Sequence, residues 1–206
     1  MFLKRNVLKA LMTRAYKGNG LRVRNDGAGL TIAGAKWAVY FLHGDMPKET
    51  MGDLISLVGE LPSRHEMYTA DKNGNQMEIY DDGLMSPMDM VLNKELAAVP
   101  LTACGVIGIL RAKESGEIIP VPAVMLEMID YSKVDDDEEK PAGIFGDKTF
   151  VEGLFYNAAC WQNDRMAFAI GEMRIENPVA KDIMKDLESL PFRSEVPDAE
   201  DQAGED

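Results

Sequence analysis

Hydrolytic, redox and metal chemistry is built from histidine, cysteine and closely spaced carboxylates, and this sequence uses the first two sparingly. Its two histidines, His43 and His65, stand in no His-x-x-His or Glu-x-x-His grouping, so no metal centre is expected on them. Residues 29–36, GLTIAGAK, come close to a phosphate-binding loop. Ala35 occupies the place where that loop needs lysine, and the stretch reads as strand throughout, so the match is rejected. Residues 71–78, DKNGNQME, come close to a calcium loop, but Gly74 falls at the fourth place and such a loop turns on glycine at the sixth. A hairpin around Asn73-Gly74 accounts for the stretch better. No serine or cysteine carries a local base signature. Catalytic residues, metal ligands and cofactors are therefore not expected, and a non-enzymatic protein is.

Charge is more informative. The 206 residues carry a net charge of −13, yet the first 24 hold seven basic residues (Lys4, Arg5, Lys9, Arg14, Lys17, Arg22 and Arg24) and no acidic one. Against them stand the run Asp135–Glu139 and a tail with Glu195, Asp198, Glu200, Asp201, Glu205 and Asp206. A chain polarised in this way can be repelled by nucleic acid overall and still attract it through one face. Acidic surface that maintains solubility is the plainer account of the tail and the loop. No apolar run approaches the roughly 20 residues that span a bilayer, and the basic start lacks the apolar block of a secretory signal. Cys104 and Cys160 lie in apolar, strand-like runs without a CxxC pair, which predicts reduced core thiols and a cytoplasmic setting. Fourteen methionines fall mostly on core stripes, so packing explains them better than an adaptable binding surface.

Elements follow from periodicity. Residues 2–16 predict a helix with Leu3, Val7, Leu8, Leu11, Met12 and Ala15 on one face; Arg5, Lys9 and Lys17 fall away from that stripe and Arg14 flanks it. Strands at 21–24 and 29–33 join through Asn25-Asp26-Gly27, and 36–42 supplies a third. Pro47 opens a second helix with Met51, Leu54, Ile55 and Val58 as its buried stripe, and Leu61-Pro62 ends it. After the Asn73-Gly74 hairpin, Ser86-Pro87 predicts a third helix running to Val99. A buried strand is expected over 101–110, and an extended segment over 118–134 that Pro120 and Pro122 mark as edge or bulge. Next come an acidic loop at 135–147, strands at 149–156 and 165–175 with a turn at Asn163-Asp164, and a last helix at 178–190. Beyond Arg193 the composition is that of a disordered tail.

Part of the chain repeats. Shifted by 129 positions, Leu54, Ile55, Val58, Leu61 and Pro62 fall on Ile183, Met184, Leu187, Leu190 and Pro191, with Asp53 on Asp182 and Lys36 on Arg165. Duplicated domains and two ordinary strand-to-helix units both fit. The division expected is 1–83, 84–192 and an acidic tail at 193–206. Each of the first two would be a small α+β domain with two helices packed on antiparallel sheet.

The passages LKALMTRAYKGNGLRVRNDGAGLTIAG, MPKETMGDLISLVGELP and EMYTADKNGNQMEIYDDG give an order of elements that resembles one domain of a DNA sliding clamp, the ring-shaped processivity factor of replicative polymerases. The second unit resembles it more loosely, with no hairpin after its last helix. The resemblance implies helices facing a central hole and basic side chains on phosphate backbone. Arg5, Lys9, Arg14 and Lys17 would then be the duplex DNA contacts. It also implies a polymerase or other replication protein as partner, and a homo-oligomer, trimer or dimer, with no membrane. An acidic protein-interaction module without DNA binding is the alternative.

Overall fold

The computed structural model describes residues 1–79, 88, 94–133, 142–145 and 157–190. Helix α1 (Arg5–Lys17) buries Leu8, Leu11 and Met12. It stops at Gly18, and Gly20, at φ 97°, turns the chain into β1 (Leu21–Asn25). Strands β2 (Gly29–Gly34) and β3 (Trp37–Leu42) follow. The β1–β2 turn is held by Asp26 Oδ1, which accepts from the N–H groups of Ala28 and Gly29 at 2.9 and 2.7 Å. Helix α2 (Lys48–Val58) starts after Pro47 and ends at Gly59, φ 82°. Leu54 and Val58 are buried, but Ile55, expected on the same stripe, is on the solvent side. β4 (Glu66–Asp71) and β5 (Gly74–Glu78) form the hairpin expected around Asn73-Gly74.

The later chain departs from expectation in four places. Residues 94–99, expected to be helical, belong to strand β6 (Lys94–Ala103), while 86–93 lie outside the described residues apart from Met88. A short apolar run cannot declare its own period, and here the sheet decides: β6 pairs with a neighbour on each side. Its register shifts between Val99 and Thr102, where Pro100 has no N–H to give the ladder. The strand expected over 101–110 is instead the end of β6, a turn and β7 (Ile107–Ala112), because Cys104 and Gly105 both take positive φ. Cys104 is consequently exposed and no core thiol, whereas Cys160 is fully buried. The extended segment 118–134 is strand only as β8 (Ile118–Pro122); it continues as a short helix α3 (Ala123–Leu126) and a 3-10 turn at Tyr131–Lys133. The acidic stretch 135–147 contains strand β9 (Ala142–Phe145).

The strand expected at 149–156 and the tail lie outside the described residues. β10 (Asn157–Gln162) and β11 (Met166–Gly171) flank the Asn163-Asp164 turn. Helix α4 (Pro178–Ser189) begins where Asn177 Oδ1 accepts from Val179 and Ala180 N–H.

The protein is α+β. The described strands form one antiparallel sheet in the order β5-β4-β1-β2-β3-β11-β10-β9-β6-β7-β8. The 129-residue shift carries the bounds of β3, 37–42, onto those of β11, 166–171. These two strands are neighbours, with Val39 opposite Phe168 and Ala38 opposite Ala169. The two chain halves therefore meet through one continuous sheet. The largest core cluster lies between one sheet face and the helices α1, α2 and α3. On the other face the centre is lined by Ala33, Ala38, Ala167, Ala169 and Cys160 around Tyr40. α4 packs separately, setting Ala180 and Met184 on Ile107, Ile109 and Ile118. The repeated strands thus share a sheet, but α2 and α4 cover different cores.

Candidate nucleic-acid interface

With Leu8, Leu11 and Met12 turned inward, the 3.6-residue period sends Arg5, Lys9, Arg14 and Lys17 outward, and all four are exposed, as is Lys4 just before the helix. The structure separates them into two pairs. Arg5 and Lys9 face α2. Arg5 Nε donates to Asp53 Oδ2 at 2.7 Å and its Nη1 to Glu49 Oε2 at 2.6 Å, while Lys9 Nζ reaches Asp53 Oδ1 at 2.7 Å. Each carboxylate oxygen of Asp53 thus takes one cation of α1.

The Asp53 side chain is only 8% exposed, so burial alone would favour its neutral form. The hydrogen bond from Arg5, then that from Lys9, outweighs this and holds the carboxyl at about 2, below the ordinary 3.8. The same bond to Asp53 raises the Arg5 guanidinium above its ordinary value. Glu49 is mostly in solvent, where an ion pair contributes little.

Arg14 and Lys17 make no hydrogen bond or ion pair among the described residues. They occupy the last turn of α1, where cations also complement the helix dipole. Of the four residues singled out from the sequence, two are engaged by α2 and two point free into solvent. Sequence reasoning missed the acidic partners, although a signal was present. Arg5 and Lys9 are four apart, as are Glu49 and Asp53, so two helices lying side by side can match them pairwise.

Elsewhere, Lys181 and Lys185 of α4 and Arg174 rim a cleft of about 360 Å³ floored by Ile118, Pro120 and Met184. Glu172 and Glu188 line it too, so its charge is mixed. Among the described residues no cluster of His, Cys, Asp and Glu could hold a metal ion, and no helix is long and apolar enough to cross a membrane. Burial pushes the Cys160 thiol up to about 12, which makes it a poor nucleophile.

Helices laid on a long antiparallel sheet, with a cationic helix on the outside, define a fold before they define a function. No protein-family model matches the chain, and no curated protein matches its sequence. Solved structures do match. The beta chain of DNA polymerase III from Streptococcus pneumoniae TIGR4 aligns over 87% of this chain and 66% of its own, at 7% identity and a TM-score of 0.34. The beta subunit from the DNA polymerase of Streptococcus pyogenes aligns over 85% of this chain and 65% of its own, at 8% identity and a TM-score of 0.31. This chain therefore spans just under two thirds of those it matches. The likeness is one of fold in outline.

Proposed function

We propose that this protein is a non-enzymatic, clamp-like factor that lies on duplex DNA through α1 without reading sequence, and that tethers a replication protein there. The observation that supports this reading is the outer face of α1. Lys4, Arg14 and Lys17 are exposed without an ion pair among the described residues, and Arg5 and Lys9 beside them are exposed but shared with Glu49 and Asp53. No acidic residue lies within the helix, and the chain as a whole carries −13. A basic strip on an acidic body suits phosphate contact that holds DNA locally and repels it elsewhere.

Arg14→Glu with Lys17→Glu tests the proposal and leaves the Asp53 network untouched. Fluorescence anisotropy on a labelled duplex, titrated with salt, is the measurement. Wild type should bind with an affinity that falls as salt rises. The double variant should bind more weakly, with a log–log salt slope shallower by about 0.9 for each phosphate that is no longer neutralised. Wild-type protein indifferent to duplex DNA at low salt would sink the proposal.

A second reading, an acidic protein-interaction module, draws on the neutralisation of Arg5 and Lys9 by Glu49 and Asp53. It predicts no salt-sensitive duplex binding by wild type or variant.

A further inference from the structure

Among the described strands the sheet ends on β8 at one side and on β5 at the other, and the two ends are built differently. Along the outer edge of β8 the Ile118 N–H is taken by Glu188 Oε1 at 3.4 Å. Pro120 and Pro122 have no N–H, and the Pro120 carbonyl accepts from Met173 N at 2.7 Å. That edge is sealed by the chain itself.

Among the described residues, none pairs with the outer edge of β5. Its hairpin register pairs Asp71 with Gly74, Thr69 with Gln76 and Met67 with Glu78. In a two-residue hairpin these pairs exchange the backbone bonds, so the N–H and C=O groups of Asn75 and Met77 point away from β4. Residues 74–77 are exposed, and Met77 and Ile79 leave 61% and 93% of their surface in solvent. β5, GNQME, has no lysine, no proline and no register shift, and its one charge, Glu78, is neutralised by Arg22.

We propose that a second copy of this chain pairs with β5, antiparallel and two-fold, so that the sheet continues across a dimer. β5 is complementary to itself. Its outward-facing residues are the odd-numbered ones, and a copy centred on Met77 sets Met77 opposite its equivalent, Asn75 opposite Ile79 and Gln76 opposite Glu78. Outward groups then meet outward groups, both exposed apolar side chains enter the paired segment, and no like charges stand opposite each other. Glu78 is already paired with Arg22 at 3.3 Å. With β8 sealed, strand pairing cannot pass from copy to copy, so the assembly stops at two and forms no head-to-tail ring. The paired segment is short, which makes the dimer concentration-dependent. The inference is independent of DNA binding.

Sedimentation velocity on DNA-free protein over a concentration series, run beside Met77→Lys, is the test. Wild type should move from monomer to dimer. The variant sets like charges across the two-fold axis and should weaken dimerisation roughly tenfold or more, with an unchanged far-UV circular dichroism spectrum. A Met77→Cys variant on a Cys104→Ser background should oxidise to a covalent dimer, which a head-to-tail contact would not give. A monomer at every concentration, a trimer, or a dimer indifferent to Met77→Lys that fails to cross-link would each overturn the proposal.

Discussion

Arg5 and Asp53 are bonded at 2.7 Å across 48 positions of sequence, and Lys9 completes the group on the other carboxylate oxygen. The bonds tie α1 to α2 and also set how the pair answers to acid. With the carboxyl held at about 2 against an ordinary 3.8, the unfolded chain takes up the proton more readily than the folded one. The stabilisation is therefore complete above 3.8 and is lost as pH falls through about 2. Melting temperatures followed from pH ~5 to ~2 should fall more steeply for wild type than for Asp53→Asn, which should start lower at neutral pH. Parallel curves for the two proteins would mean that the network contributes nothing to folding.

The first half of the molecule was legible because its elements announce their own ends. Gly18 and Gly20 close α1, Asp26 holds the first hairpin, Pro47 and Gly59 bracket α2, and Asn73-Gly74 turns the second hairpin. β6 was not legible. Lys94–Ala103 has no local period that excludes a helix, and pairing with β7, the next strand, on one side and with the distant β9 on the other makes it a strand. The same holds at the candidate interface. Exposure of Arg5, Lys9, Arg14 and Lys17 could be read from the spacing of Leu8, Leu11 and Met12. Which of the four would be claimed by α2 depended on how two helices pack, and the periodicity of α1 is silent on that.

Thr50 sits inside α2 at 1% exposure, and its hydroxyl has no hydrogen-bond partner among the described residues. A buried hydroxyl without a partner costs about 1–3 kcal/mol in lost hydration. Valine has nearly the same shape and the same β-branching, so Thr50→Val removes the polar atom at little cost in packing or helix propensity. The expected outcome is a gain of about 1 kcal/mol, or ~2–4 °C in melting temperature for a chain of this length. A loss of comparable size would show that the hydroxyl has an acceptor after all.

The seam between the chain halves makes the sharpest prediction about organisation. β3 and β11 pair along their length, and the residues in register there, Trp37 with Ile170, Val39 with Phe168 and Phe41 with Met166, are all buried. Each such side chain contributes roughly 1.5–3 kcal/mol through burial, so separating the halves forfeits a large part of the core. A second tie lies at the chain start. Lys4 N donates to Met128 O, and Asp130 N to Phe2 O, both at 2.7 Å, beside fully buried Phe2 and Leu3. Two independent domains would unfold separately; halves joined in this way should unfold together. The two tryptophans report on opposite sides of the seam, Trp37 on β3 and Trp161 on β10. In Trp161→Phe the remaining indole follows the first half, and in Trp37→Phe it follows the second. Within each variant, fluorescence and far-UV circular dichroism should give one coincident midpoint in denaturant, even though the two variants differ in stability. A fluorescence midpoint displaced from the dichroism midpoint in either variant would mean that the halves unfold as separate units despite the shared sheet.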